Sequence, residues 1–359
     1  MKTTTFPLRD FLVENKEVNF DLASSSVSDI SVISDKNIFS SFDTGYSDEY
    51  SLELERKLVD MYGKVNDVEI VSLPGAQISN SLVFLTLFDH GDEVLVESPN
   101  YEPLVKLPKQ LGLKVKTIKR RYDNGFDLKL DELQESISKR TKAVVLTNPH
   151  NPSGVFMGKE KLSKIQQFLE ERDIVLVVDE IFRDFVKDGP SALEVGRNVV
   201  VTSSFSKIFG MGGIRIGWVA SRNEGLIEKI HRMKYHMNLL NSTLSERMTL
   251  NVLENRETLL TEVRALAQTN HSMVRGWIEG SKHIEWIPPS AGIISFPKFR
   301  SPCTSYELAE RALKDDVLVS PGRFFSEDCD DHIRLCFGIN TQKLAIGIQK
   351  LSMVMRTWD

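Results

Sequence analysis

The sequence has little cysteine: Cys303, Cys329 and Cys336 are the three cysteines in 359 residues. None of them forms a CxxC motif with another, so neither a disulfide framework nor a cysteine metal site is indicated. We therefore expect reduced, packed thiols in a cytoplasmic protein, and no bound metal.

An excess of positive charge and a long apolar run are also lacking. The formal net charge is −5, which argues against a basic field that attracts nucleic acid. The start, MKTTTFPLRDFL, lacks the apolar core of a signal peptide, and the apolar run 174–178 is too short to span a membrane. We expect neither nucleic acid nor membrane as a partner.

Apolar runs typical of strands alternate with helical patterns through the middle of the chain. The patterns predict strands at 94–96, 115–118, 143–146, 174–178 and 199–201, and helices near 101–111, 131–138, 160–171 and 224–237. A helix over 76–88, with Ile78, Leu82 and Leu85 buried, precedes them. Strands that alternate with helices predict an α/β fold with a mostly parallel sheet.

The length and the change of rhythm late in the chain predict two domains. Residues 40–245 carry the alternating pattern and form the large domain. Shorter strand and helix patterns follow, so residues 246–359 are expected to form a smaller α+β domain together with the N-terminal arm 1–39.

Polar side chains follow four of the predicted strands. Tyr101, Asn151, Asp179 and Lys207 each come shortly after a buried run. Because the carboxyl ends of parallel strands meet at one edge of a sheet, we expect these residues to converge on one site.

The stretch around Lys207 indicates the chemistry of that site. Ser204, Ser206 and Arg215 supply hydroxyls and a guanidinium suited to a phosphate group. A lysine able to form a Schiff base beside a phosphate site is what pyridoxal phosphate (PLP) chemistry requires. We therefore predict a PLP site.

Several motifs occur together in a fixed order: NPHNPSG, DEIF, SFSK, the eight-residue step from Lys207 to Arg215, and HIRLCF. In this order and spacing the chain resembles the class I/II aminotransferases of PLP fold type I, the aspartate aminotransferase-like enzymes. The resemblance implies a mostly parallel seven-stranded sheet in the large domain, PLP as cofactor, and a homodimer with shared active sites. The Ser-rich LASSS stretch also resembles the branch that includes capreomycidine synthase-like proteins.

The resemblance implies a role for each residue near the cofactor ring. Lys207 holds PLP as a Schiff base and then moves a proton, and Asp179 partners the pyridine nitrogen. Tyr101 stacks on the ring, and Asn151 donates to its phenolic oxygen and lies beside the substrate. The alternatives are local: capping for Asp179, turn formation for Asn151 and core packing for Tyr101.

The resemblance also implies residues for the phosphate and for the substrate. Arg334, in HIRLCF, binds the substrate α-carboxylate, with a surface ion pair as its alternative role. The phosphate ligands are Ser204, Ser206, Arg215, the Gly75-Ala76-Gln77 turn at a helix N-terminus, and Tyr46 of the neighbouring subunit.

Phe182 departs from the pattern of the family, which usually has tyrosine three residues after the aspartate. Phenylalanine cannot donate a hydrogen bond, so Asn151 is expected to act alone on the phenolic oxygen. The first hypothesis is amino transfer between an α-amino acid and a 2-oxo acid. The second is other PLP chemistry: a lyase, a racemase or a capreomycidine synthase-like cyclase. The third is a ligand-sensing regulator, although the polar N-terminal residues are too few for a DNA-binding domain.

Overall fold

The structure is a computed structural model that describes residues 5–28 and 48–357. Its helices are α1 Pro7–Glu14, α2 Glu49–Asp60, α3 Ala76–Leu87, α4 Glu102–Gln110, α5 Leu130–Ser136, α6 Lys159–Glu170, α7 Glu224–Met237, α8 Thr243–Glu254, α9 Arg256–Glu279, α10 Ser305–Lys314 and α11 Thr341–Arg356. Its strands are β1 Phe20–Asp21, β2 Glu69–Leu73, β3 Glu93–Ser98, β4 Lys114–Lys119, β5 Thr141–Thr147, β6 Val175–Asp179, β7 Val199–Ser204, β8 Gly217–Ser221, β9 Ile284–Glu285, β10 Ile294–Ser295, β11 Lys298–Phe299, β12 Val317–Leu318, β13 Ser320–Pro321 and β14 Ile333–Cys336.

A seven-stranded sheet with the order β2-β8-β7-β6-β5-β3-β4 forms the centre of the molecule. The neighbouring strands β7, β6, β5, β3 and β4 pair in parallel, whereas β8 runs antiparallel to both β7 and β2. The predicted α/β class with a mostly parallel seven-stranded sheet is therefore confirmed. The strands β2 and β8 were not among the runs predicted from periodicity.

Helices cover both faces of this sheet, which explains why its middle strands are continuous apolar runs. Leu176 and Val178 of β6 pack in one hydrophobic core. Val177, between them, packs in the core on the opposite face, together with side chains of α3 and α7. Alternate side chains of one strand thus stabilise different layers, and polar residues appear where the strand leaves the core.

The C-terminal part of the chain forms small sheets flanked by α10 and α11. The strands β10, β14 and β13 pair antiparallel in one of them. The N-terminal strand β1 pairs in parallel with β12, with Phe20 opposite Val317. The division into 40–245 and 1–39 plus 246–359 stays a prediction.

The burial predicted for α3 is partly wrong. Leu82 is 1% exposed, as expected, but Ile78 and Leu85 are 38% and 39% exposed. Both lie on the face of α3 that is turned away from the sheet. Helical periodicity identified the helix correctly, but it did not separate side chains that face the core from apolar side chains at the surface.

The cysteines are free thiols, with Cys329 and Cys336 buried and Cys303 partly buried. Across residues 5–28 and 48–357, no helix combines the length and apolar character that crossing a bilayer requires. The same residues contain no group of three or more His, Cys, Asp or Glu side chains arranged to hold a metal ion.

Candidate active site

A cleft opens at the edge where β3, β5, β6 and β7 end. The structure brings most of the predicted site residues into its lining: Ala76, Gln77, Tyr101, Asn151, Asp179, Ser204, Ser206, Lys207 and Arg215. The expected convergence of strand ends on one site is what the sheet produces. Tyr46 lies outside the described residues.

Asp179 ends β6 at the floor of the cleft and is 5% exposed. Its Oδ2 accepts a hydrogen bond from Asn80 Nδ2 at 3.0 Å, and its Oδ1 accepts one from the backbone N–H of Ile181 at 3.0 Å. Burial raises the pKa of Asp179, while the two donors and the nearby Lys207 act in the opposite direction. The protein thus places a buried carboxylate where it can bind a cationic N–H.

Lys207 lies in the loop after β7. The backbone N–H of Val27 donates to the Lys207 carbonyl oxygen at 3.0 Å, which fixes this loop against the N-terminal segment. Burial, followed by the positive charge of Arg334, lowers the pKa of Lys207 to about 8. About a tenth of the side chains are therefore neutral amines at pH 7, and this fraction rises through pH 8. The neutral amine is the form that attacks an aldehyde.

The start of α3 provides an anion site at which backbone N–H groups are free and glycines leave space. Gly75 has φ of 92°, and a Cβ there would lie 2.5 Å from Nη2 of Arg215. Gly217 on β8 also approaches closely, since its Cβ would lie 2.6 Å from the Ala76 nitrogen. The amide N–H groups of Ala76 and Gln77 belong to the first turn of α3, where no intrahelical acceptor exists and the helix dipole favours an anion.

Arg215 and two serines complete this end of the cleft. Arg215 has φ of 59°, and its guanidinium donates to the carbonyl oxygens of Gly212 at 3.0 Å and Pro74 at 3.1 Å. Ser204 accepts a hydrogen bond from the backbone N–H of Ser206 at 3.3 Å. Backbone amides, hydroxyls and a guanidinium held by carbonyls rather than by carboxylates suit a phosphate.

Arg334 does not line the cleft but contacts a residue that does. Its Nη1 donates to Asn151 Oδ1 at 3.3 Å, and its Nη2 donates to the Ala23 carbonyl at 2.7 Å. Arg334 is 2% exposed, and its Nε has no hydrogen-bond partner. Burial lowers the pKa of Arg334 to about 10. Within residues 5–28 and 48–357 no carboxylate forms an ion pair with it, so the alternative of a surface ion pair is wrong.

Tyr101 and Phe182 are the aromatic side chains of the lining. Burial raises the pKa of Tyr101 to about 12, and its ring meets Phe6 edge-on at 5.7 Å. Phe182 is 1% exposed and brings no hydroxyl to the cleft. Asn151, whose Oδ1 faces Arg334, keeps its Nδ2 as a donor for a ligand.

Three polar residues of the lining were not predicted from the sequence: Ser25, Asn80 and Thr147. All are buried, at 7%, 6% and 2% exposure. The available indication for Thr147 was its place at the end of the buried strand β5, whereas Asn80, between Ser79 and Ser81, carried no comparable indication. Ser25 is in the LASSS stretch, which was singled out only for its resemblance.

The residues present fit PLP. A carboxylate for the ring nitrogen, a lysine of lowered pKa for the aldehyde, an aromatic ring and a phosphate cradle that a Cβ at residue 75 would fill all meet in one cleft. This fold and this donor set define a PLP-dependent enzyme of fold type I.

Comparison with known proteins names the family. The model for aminotransferase class I and II matches residues 34–351, so the chain belongs to that family and is a PLP-dependent aminotransferase. It is 30% identical over 293 residues to capreomycidine synthase of Streptomyces vinaceus, covering 80% of this chain and 75% of that protein. It is 27% identical over 327 residues to aspartate aminotransferase of Sulfurisphaera tokodaii, covering 86% and 82%.

A solved structure agrees on the fold. A PLP-dependent aminotransferase from Streptococcus suis superposes with a TM-score of 0.89 at 24% identity, covering 100% of this chain and 99% of that one.

Gly75→Ala should weaken PLP binding by roughly 10- to 150-fold, because the new Cβ displaces Arg215 from the phosphate and loses a charged hydrogen bond. The matched control is Gly91→Ala: Gly91 has φ of 94° and open space around its Cβ position. Both changes should cost stability, about 1–3 kcal/mol for the strained backbone. Titration with PLP, followed by fluorescence, measures the loss of PLP binding separately from the loss of stability. Equal PLP affinity in both variants would contradict the phosphate assignment.

Proposed function

We propose that this enzyme transfers the amino group of an α-amino acid to a 2-oxo acid with Lys207, Asp179 and Arg334 in separate roles. The observation that carries the proposal is the buried Arg334 guanidinium, which lacks a carboxylate partner in the described chain yet touches the cleft through Asn151. A planar cation at that place suits the α-carboxylate that every amino-acid and 2-oxo-acid substrate presents.

The other roles follow from the same contacts. When bound, PLP supplies an aldehyde that condenses with amines and a ring that withdraws electrons from the carbon bearing the amino group. Lys207 would hold the cofactor through its Nζ, and its free amine would accept the proton of the substrate Cα. Asp179 would hold a proton on the ring nitrogen, and Asn151 would donate to the ring oxygen, for which Phe182 has no hydroxyl to offer.

A panel of amino acids tests the proposal. Holoenzyme is mixed with one amino acid at a time, and the absorbance of the bound cofactor is followed together with the 2-oxo acid released. An amino donor should change the cofactor spectrum and release its own 2-oxo acid in equal amount. Adding 2-oxoglutarate should then restore the spectrum and yield glutamate. If no amino acid of the panel gives a 2-oxo acid, amino transfer is not the reaction.

A second reaction is favoured by two observations, the Phe182 side chain in the cleft and the 30% identity to a protein named capreomycidine synthase. On this alternative the same residues bind an amino acid and remove its Cα proton, but the substrate then eliminates a group or closes a ring. In the panel, such a substrate would be consumed without glutamate formation from 2-oxoglutarate.

Assembly as a homodimer is the further part of the proposal. The packed helices α3 and α7 expose a group of apolar side chains: Ile78, Leu85, Tyr235, Met237 and, just after α7, Leu239. A second copy that covers this face would lie beside the phosphate end of the cleft, where Tyr46 is predicted to reach across. Sedimentation should give a dimer that Met237→Asp weakens, while the control Met353→Asp, at another exposed methionine, leaves it intact.

We also propose a cytoplasmic location, consistent with free cysteines.

The rate of PLP capture by the apoenzyme should rise with pH up to about 8 and then level off, because only neutral Lys207 attacks the aldehyde. Below the midpoint the rate should grow roughly tenfold per pH unit. Stopped-flow absorbance after mixing with PLP measures it. Arg334→Met, which removes a nearby positive charge, should move the midpoint to higher pH. A wild-type midpoint near the ordinary lysine value of 10.5 would contradict this account.

A further inference from the structure

The carboxylate of Asp179 depends on the Asn80 side chain for one of its hydrogen bonds. Asn80 lies on the second turn of α3 and is 6% exposed. Its Nδ2 donates to Asp179 Oδ2 at 3.0 Å, across the cleft floor from the backbone donor of Ile181. A side chain of α3 thereby binds the residue that ends β6.

Thr202 fixes the orientation of the Asn80 amide. Its Oγ1 donates to Asn80 Oδ1 at 2.6 Å, and Thr202 has no exposed surface. On the sheet, Thr202 of β7 stands directly opposite Asp179 of β6. Because the hydroxyl occupies the amide oxygen, the NH₂ group is left for the carboxylate; the reversed amide would set oxygen against oxygen.

The ionised form of Asp179 needs this support. Burial raises its pKa, and the opposing contributions come from the Asn80 amide, the Ile181 N–H and the charge of Lys207. In the part of the chain that the structure describes, the other titratable groups that interact with it are Glu97 of β3 and Tyr101 at the start of α4, and neither is a cation. Once Lys207 is engaged with the cofactor its charge no longer helps, so the two hydrogen bonds carry more of the stabilisation.

We propose that Asn80 and Thr202 are a pair of positioning residues that keep Asp179 ionised and aimed at the ring nitrogen of PLP. The proposal rests on the role proposed above for Asp179. Without the Asn80 amide, the buried carboxyl takes up a proton at higher pH. A neutral carboxyl does not hold a proton on the ring, so cofactor binding and the cofactor spectrum both change.

The experiment measures PLP affinity and the absorbance of the bound cofactor as functions of pH. Asn80→Leu should weaken PLP binding at pH 7 about tenfold. It should also shift the acid limb of the plot of PLP affinity against pH to higher pH, by about one unit. Thr202→Val, which removes only the hydroxyl, should shift both readouts in the same direction by a smaller amount, and Thr202→Ser should restore them.

Thr141→Val is the matched control. Thr141 is also a buried threonine of the same sheet, but it lies at the start of β5, away from the cleft. Its hydroxyl donates to a carboxylate, that of Glu93. It should lose stability without any change in PLP affinity or in the pH profile. Circular dichroism checks the fold of each variant, and Thr202→Val provides the test if Asn80→Leu does not fold.

Asp179→Asn distinguishes the positioning role of Asn80 and Thr202 from the role of Asp179 itself. If Asp179→Asn loses affinity but Thr202→Val and Asn80→Leu bind PLP with the wild-type pH profile, the positioning role is wrong and the proposed function stands. If Asp179→Asn itself binds with the wild-type affinity and spectrum, the role of Asp179 is wrong.

Discussion

Lys207→Ala should lower kcat by about 10²–10⁴-fold or more, because the variant lacks both the amine that holds the cofactor and the base that moves the Cα proton. The second readout is covalent. Treatment of the wild-type holoenzyme with borohydride should fix the cofactor on the peptide that contains residue 207, and mass spectrometry should find no fixed cofactor in the variant. Because the phosphate cradle is intact, PLP should still bind reversibly.

Lys164→Ala is the control for a lost lysine. Lys164 is exposed and pairs with Glu160 at 2.8 Å within α6. This variant should keep wild-type kcat and wild-type cofactor fixation. Fixed cofactor in Lys207→Ala, on another lysine such as the buried Lys234, would show that the assignment of the reactive lysine is wrong.

The middle of the fold could be predicted because both faces of the sheet are buried. Strands β3, β5, β6 and β7 are apolar runs of limited length between helical patterns, whereas the edge strand β4 has mostly exposed side chains. Each predicted run lies inside its strand or begins one residue before it. The strands β2 and β8 carry a weaker indication, since β8 contains Gly217 and β2 begins at the exposed Glu69. The antiparallel direction of β8 depends on its partners β7 and β2, which periodicity does not report.

Site residues could be predicted where a polar or reactive side chain follows the end of a buried strand. Asp179, Lys207, Asn151 and Tyr101 each leave a buried run at the same edge of the sheet, so a local pattern and one rule of topology were enough. The resemblance then added Arg334, which is distant in sequence and contacts the cleft lining through Asn151.

The supporting side chains could not be predicted, since their roles depend on contacts between distant elements. Asn80 and Thr202 are 122 residues apart, and each has serine neighbours in sequence, so nothing local singles either of them out. The same limit applies to Ser25, which reaches the cleft because the N-terminal segment pairs with β12 and bonds to the Lys207 loop. Burial and partner together define such roles, and neither can be read from local sequence.

Arg334→Met should lower kcat/KM for amino-acid substrates by roughly 30- to 4,000-fold, since removing one partner of a buried charge pair costs about 2–5 kcal/mol. The physical reason is the arrangement of donors. Nε has no hydrogen-bond partner, the other two nitrogens donate to uncharged oxygens, and Asp21 acts on the guanidinium without forming an ion pair with it. A substrate carboxylate would therefore supply the ion pair that residues 5–28 and 48–357 do not. Steady-state kinetics with the best donor of the panel measures the effect. Arg334→Lys should recover a part of it, because a point charge replaces a planar fork.

An amine substrate without a carboxylate distinguishes the loss of carboxylate binding by Arg334 from general damage to the cleft. The decarboxylated analogue of the best donor should react slowly with the wild-type enzyme and equally slowly with Arg334→Met, because it never used the guanidinium. PLP affinity should also be similar in the two proteins at a pH above the Lys207 midpoint. A loss of equal size for the amine and the amino acid would mean that Arg334 supports the cleft through Asn151 and Ala23 and does not bind the substrate carboxylate.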